Sequence, residues 1–175
     1  MFRDKVRLVI DACVAQSAGD EKPTAAEACN CRDMLLEVYK NKHKMVLTDF
    51  IIDEWNRHQS RWSFTWRTEM YKSSFFEYVR DCADGPLWQK IVLDMKNPFE
   101  VEQRHKDFGY IEAALVTDRT LISSDRKSRN AYSTIARTVT ELRDIVYVNP
   151  CEPNDSPIGW IRNGAPSDDW RRLGF

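Results

Sequence analysis

The sequence predicts an α/β fold in which a central parallel sheet of about four to five strands is flanked by helices. Three observations predict it. Four short apolar runs, Val6 to Ile10 (VRLVI), Lys44 to Leu47 (KMVL), Thr120 to Ser123 (TLIS) and Ile145 to Val148 (IVYV), are rich in β-branched residues and suit strands covered on both faces. Segments of helical periodicity separate them, so strand and helix alternate, which favours parallel pairing through right-handed crossovers. The chain has 175 residues, 42% of them hydrophobic and 30% charged, enough to bury one core and far from the composition of disordered chains.

Taken in order, the first strand runs into Asp11. A loop with Gly19 and Pro23 follows, then a helix opened by a capping box, Thr24 and Glu27, and continued by Met34, Leu35, Val38 and Tyr39 to about Lys42. After the KMVL strand, Thr48 or Asp49 caps a helix through Ile52, Glu54 and Trp55. Arg61 to Cys82 alternates aromatic and charged residues without Gly or Pro and reads as one long helix, stopped by Gly85-Pro86. A shorter helix spans Leu87 to Lys96, and Asp107 begins another (FGYIEAALV) that leads into TLIS. Arg126 to Arg137 reads as helix before the IVYV strand. The division is a main domain over 1–150, with a helical insertion at about 61–106. The segment 151–175 reads as an irregular tail docking on that domain through Trp160, Trp170 and Phe175.

Several function classes are excluded or left unsupported. Lys and Arg number 26 against 27 Asp and Glu, so any nucleic-acid contact must come from a local patch. No apolar run approaches a membrane span, and the chain reads as a cytoplasmic protein. Five cysteines without a CxxC pair argue against a disulfide framework or a zinc ribbon. The glycines form no phosphate-binding loop. Asp11-Ala12-Cys13 lacks the second Asp that an aspartyl-phosphate phosphatase places two residues on.

Asp11 at the end of the first strand, Asp125 just past TLIS and Asp107 on the helix before it occupy places that converge beyond the carboxyl ends of a parallel sheet. Carboxylates without Cys or His suit Mg²⁺ or Mn²⁺ rather than zinc. Each acid taken singly also fits a solvated charge or a cap. Asp53 competes with Glu54, because neighbours on a helix differ by ~100°. Ile51, Ile52 and Trp55 favour Glu54 as the inward residue. Glu112 is a weaker candidate that would assist from behind. Arg57, His58, Arg61, Trp62, Trp66, Arg67, Tyr71 and Lys72 mix cations with rings, as an RNA-binding surface does, but also step like an amphipathic core stripe. Arg126, Lys127 and Arg129 follow Asp125 where a phosphate would pass.

The ordered segments LVIDACV, DFIIDEWNRH, KDFGYIEAALVTDRTLISSD and IVYVNP resemble PIN domains from about Arg7 to Pro150. The resemblance implies a three-layer PIN-like fold and a Mg²⁺- or Mn²⁺-dependent ribonuclease. Asp11, Glu54, Asp107 and Asp125 would be the catalytic and metal-binding acids. Ser123 would be the hydroxyl residue that orients a carboxylate or a water, and Arg57, Arg126, Lys127 and Arg129 would contact RNA. It also implies toxin–antitoxin membership, with an antitoxin protein or a second copy of the chain as partners. The alternative is a PIN-like scaffold that binds RNA or protein without catalysis.

Overall fold

Five short strands form one all-parallel sheet in the order β3-β2-β1-β4-β5: β1 (Arg7–Ile10), β2 (Lys44–Leu47), β3 (Phe76–Tyr78), β4 (Thr120–Ile122) and β5 (Val146–Val148). The computed structural model describes residues 5–19, 25–95 and 97–175. Arg7 pairs opposite Lys44, Met45 opposite Phe76, Val9 opposite Leu121 and Thr120 opposite Val146. Among the described residues eight α-helices flank the sheet: α1 (Ala12–Ser17), α2 (Ala26–Lys40), α3 (Asp49–His58), α4 (Arg61–Lys72), α5 (Gly85–Asp94), α6 (Pro98–Leu115), α7 (Arg126–Ile135) and α8 (Pro157–Arg162). The architecture is α/β and consistent with three layers.

The topology locates the site. From β1 the chain steps outward to β2 and β3, then α5 and α6 carry it back to β4 on the other side of β1. Right-handed crossovers then put the helices before and after this reversal on opposite faces. Accordingly α2 packs with α4, while α6 lies against β1 and β4. The reversal leaves a crevice beyond the carboxyl ends of β1 and β4, the usual ligand position in such sheets.

The core explains why these runs are strands. Leu8, Val9 and Ile10 are fully buried, as are Met45 and Val46, and Val146 and Val148 nearly so. Met34, Leu35 and Val38 of α2 and Ile111, Ala113 and Ala114 of α6 cover them. Buried indole N–H groups find carbonyl partners: Trp55 donates to Ile10 O (2.9 Å) and Trp66 to Leu35 O (2.8 Å).

The structure departs from the sequence reading in several places, among them Gly85-Pro86, which opens α5 behind the cap Asp84 instead of stopping a helix. The segment Arg61 to Cys82 is not one helix, because α4 stops at Lys72 and β3 follows. Ser74 takes a left-handed conformation (φ 56°), Phe75 N–H bonds to Met70 O and Ser74 N–H to Tyr71 O, the pair of bonds that closes a Schellman cap. The insertion is therefore not all-helical, and its strand completes the edge of the sheet. Asp107 does not begin a helix, since α6 starts nine residues earlier, capped by Asn97 with Pro98 in its first turn. Ala12 to Ser17, read as loop, is the helix α1, capped by Asp11. Of the opening of α2, Ala25 is the cap and makes no side-chain bond; the expected box residue Thr24, like Pro23 and Lys96, lies outside the described residues.

The tail is not irregular as expected, since Pro157, placed in a first turn where it needs no N–H partner, opens the helix α8 within it, and the tail folds back over α2 and the free edge of β5. Arg162 forms two bonds to Glu37 (2.9 and 3.0 Å), His43 Nε2 lies 3.3 Å from Ile161 O, and Leu173 N–H reaches Ile145 O (2.9 Å). Arg172 bridges Val146 in antiparallel sense, which blunts the sheet edge. Trp160 is buried, whereas Trp170 is half-exposed and Phe175 exposed, so one of the three aromatics docks.

Candidate active site

The backbone around Asp11 is held from four sides. Asp11 N–H donates to Ile122 O (3.0 Å), which extends the β1–β4 ladder by one rung. Trp55 of α3 takes Ile10 O, and Ala12 N–H donates to the phenol oxygen of Tyr110 on α6 (3.1 Å). Val14 N–H closes the first turn of α1 on Asp11 O (3.0 Å). With every polar group near the strand end paired, the Asp11 side chain has a fixed base.

Ser123, fully buried, joins two of the expected acids. Its Oγ donates to Asp11 Oδ2 (2.7 Å) and accepts from Asp125 N–H (3.2 Å). Cys13 N–H occupies Asp11 Oδ1 (2.9 Å). Asp125 caps α7 by accepting from Ser128 N–H (2.9 Å), and Tyr147 on β5 donates to Asp125 O (3.0 Å). Ser128 Oγ in turn donates to Asp107 Oδ2 (3.2 Å). A chain of hydrogen bonds thus runs Asp11, Ser123, Asp125, Ser128, Asp107, through the two serine hydroxyls and the backbone N–H groups of Asp125 and Ser128, and links residues of β1, the β4–α7 junction and α6 at one crevice.

Electrostatics reports the same convergence. Burial raises the pKa of Asp11, the Cys13 N–H and Ser123 hydroxyl bonds offset part of that, and Asp125 adds to the rise. Asp107 is pushed up to about 6, first by burial and further by Asp11 and Asp125, against the pull of Arg104 and Ser128. Like charges gathered in a half-buried crevice favour either a proton or a cation there. One fixed cation is already at hand: Arg104 Nη1 stands 3.0 Å from Asp107 Oδ2, without the alignment of a hydrogen bond, and is otherwise unpartnered.

The other expected residues are placed differently. Glu54 is half-buried and Asp53 exposed, in the order expected, but Glu54 pairs with Arg57 (2.6 Å) and lies 3.8 Å from His58. Its charge reaches Tyr110, where burial and then Asp11 dominate the upward shift. Glu112 accepts from Asp84 N–H (2.6 Å) and stays with the loop before α5. Arg126 pairs with Glu152 (2.7 Å), and Arg129 is committed to the buried Asp155 (2.7 Å). Lys127 is exposed beside Asp125. Trp66 is buried against Trp55, and Arg67 is buried with a bond to Asn56 (2.7 Å), so much of the aromatic-basic stretch is core.

Comparison of the chain with protein-family models, with curated proteins and with solved structures found no match.

Sequence reasoning missed Ser128, Arg104, Tyr110 and Cys13. The Cys13 thiol is pushed up to about 12 by burial and by Asp11, so it is held protonated and is no nucleophile at neutral pH. Among the described residues no three acidic, His or Cys side chains stand close enough to form a ready-made metal shell. Mg²⁺ does not demand one, because it keeps most of its waters and is commonly held by one or two carboxylates together with a substrate phosphate. The all-oxygen donor set and the mutual repulsion of Asp11, Asp107 and Asp125 fit such an ion.

Proposed function

We propose that this chain is a PIN-type ribonuclease that hydrolyses RNA phosphodiester bonds with Mg²⁺ or Mn²⁺ at Asp11, Asp107 and Asp125. The observation that carries the reading is the linkage of Asp11, Asp125 and Asp107 through Ser123 and Ser128 at the crevice between β1 and β4. A divalent ion bound there would supply Lewis acidity to a water and neutralise phosphate charge. The protein's own part is to aim the carboxylates: Ser123 fixes Asp11, Ser128 links Asp125 to Asp107, and Lys127 at the first turn of α7 offers a cation to the phosphate. Glu54 stands nearby on α3 as a further acid that its pair with Arg57 holds back. An antitoxin protein and a second copy of the chain are partners that only the family resemblance suggests.

A second reading, a scaffold that binds RNA or protein without catalysis, is favoured by two observations: Arg104 already faces Asp107, and no preassembled metal shell is present among the described residues. The test is cleavage of a labelled structured RNA by purified protein with Mg²⁺, Mn²⁺ or EDTA, beside Asp11→Asn and Asp125→Asn. The nuclease reading expects metal-dependent cutting lost in both variants. Cutting that survives in EDTA or in both variants overturns it, and no cutting together with no metal binding selects the scaffold.

A further inference from the structure

A groove of about 810 Å³ opens directly off the acidic crevice, bounded by α6 on one side and α7 on the other. Asp125 stands at one end, and Ile135, ten residues along α7, at the other, so it runs about 15 Å at the helical rise. Its walls are of two kinds. Ala131 and Ile135 on α7 and Met95 after α5 make an apolar floor, and Phe99 of α6 offers a ring that is 67% exposed at the mouth. Gln103 and Asn130 face in from the two helices, each with an amide that both donates and accepts.

Charge in the groove is graded. Lys127, which is exposed, and Arg104, which is buried and ion-paired with Asp107 (3.0 Å), lie at the Asp125 end. Asp94 and Glu100 lie among the lining residues away from it. Phosphate is therefore favoured at the crevice end and repelled further in. A ligand that enters deeper must be uncharged, flat enough to use an exposed ring, and edged with donors and acceptors. An unpaired nucleobase has those properties, since every base has a face to stack and an edge to read.

Resting on the ribonuclease reading, we propose that this groove is a base subsite, which takes the unpaired base next to the scissile phosphate by stacking on Phe99 and bonding to Asn130 and Gln103. The phosphate of that nucleotide would meet the exposed Lys127, which places the strand so that it runs from the carboxylates along α7. The substrate preferred is then single-stranded or looped RNA at this position, because a base paired in a helix enters only after the cost of unpairing and unstacking is met.

The experiment measures binding of fluorescein-labelled single-stranded RNA hexamers to the full chain by anisotropy, in EDTA and in Mg²⁺, for wild type, Phe99→Ala and Asn130→Ala. Both positions are exposed, and circular dichroism verifies that the variants fold. Loss of an aromatic–base stack weakens binding by roughly five- to a hundredfold, so Phe99→Ala is expected in that range. A hexamer series with one abasic position identifies the stacked nucleotide: where the base is missing, wild type and Phe99→Ala bind alike. Equal affinity of wild type and both variants for every hexamer, or no binding of any hexamer, overturns the proposal. The two readings fail separately. If Phe99 governs binding while no RNA is cut, the subsite stands and the nuclease falls; if RNA is cut at unchanged sites and affinity in both variants, the nuclease stands and the subsite falls.

Discussion

Gly109 is where α6 crosses α3, the helices that carry Asp107 and Glu54, and substituting it tests how closely that crossing is packed. A Cβ built at Gly109 falls 2.3 Å from Phe50 Cδ1 and 2.6 Å from Phe50 Cε1 and Cγ. Carbon atoms pack at about 3.5–4.0 Å, so three ring atoms would be overlapped by roughly 1 Å. The ring is half-buried and packs edge-to-face with Tyr110 at 5.0 Å between centroids, so yielding to the methyl would disturb that contact. Two effects oppose each other. Replacing glycine by alanine inside a helix stabilises by about 0.5–1 kcal/mol, and overpacking costs about 1–3 kcal/mol. Overpacking wins, with a net loss of about 1–2 kcal/mol, which lowers Tm by about 2–8 °C for a chain of this size. Thermal unfolding of Gly109→Ala measures it, and the same change in a Phe50→Ala background isolates the cause. There the clash is gone and the substitution should become neutral or stabilising by about 0.5–1 kcal/mol. A rise in Tm in the wild-type background, or an equal fall in both backgrounds, would refute the close crossing.

Three further outcomes follow from local geometry. Ser74→Gly relieves the left-handed backbone at the end of α4 and should stabilise by about 0.5–1 kcal/mol in urea denaturation, while a loss would contradict the cap. Asp155→Ala leaves Arg129 without its buried partner and frees Asn149 N–H, so it should cost about 3 kcal/mol and speed amide exchange across the tail. Glu37 is held down to about 2 by Arg162 and then Lys40, against burial. A depressed carboxylate adds stability above its ordinary value of 4.5 that is lost as pH falls toward about 2. The gap in stability between wild type and Arg162→Ala should therefore be flat above pH 4.5 and close toward pH 2, and a gap that widens on acidification would contradict the pairing.

The strands that build the centre were legible because each is a β-branched run buried on both faces, and Asp11 and Asp125 were legible because they sit where those runs end. Strand β3 was not. It is an edge strand, and its central Glu77 answers Arg7 and Lys44 while Phe76 and Tyr78 are half-exposed, so no apolar pattern announces it. The end of α4 was hidden for a related reason: a serine, not a glycine, adopts the left-handed position, so the usual stop signal is missing. Asn97-Pro98 directly follows the helix expected over Leu87 to Lys96 and so resembles its stop, although an Asn cap with Pro in the first turn also opens a helix, and that ambiguity moved the start of α6. Asp107 reached the crevice regardless, because its place depends on where α6 lies on β1 and β4. Tyr110 joins the site through a long-range contact to Ala12 N–H that neighbouring sequence does not mark, whereas Arg104 and Ser128 stand three residues from Asp107 and Asp125, the spacing of a helical ion pair and of a helix cap, and that local signal was passed over. Arg129 looked available for phosphate because its partner, Asp155, lies 26 residues away in the tail.

The proposed nuclease requires a divalent cation at Asp11, Asp107 and Asp125. Mn²⁺ titration followed by electron paramagnetic resonance counts bound ions without reference to any substrate, for wild type, Asp11→Asn and Asp107→Asn. The expected result is saturable Mn²⁺ binding in the wild type that Mg²⁺ displaces and that each substitution weakens at least tenfold. Wild-type protein that binds no Mn²⁺, or binding that both variants retain, would contradict it.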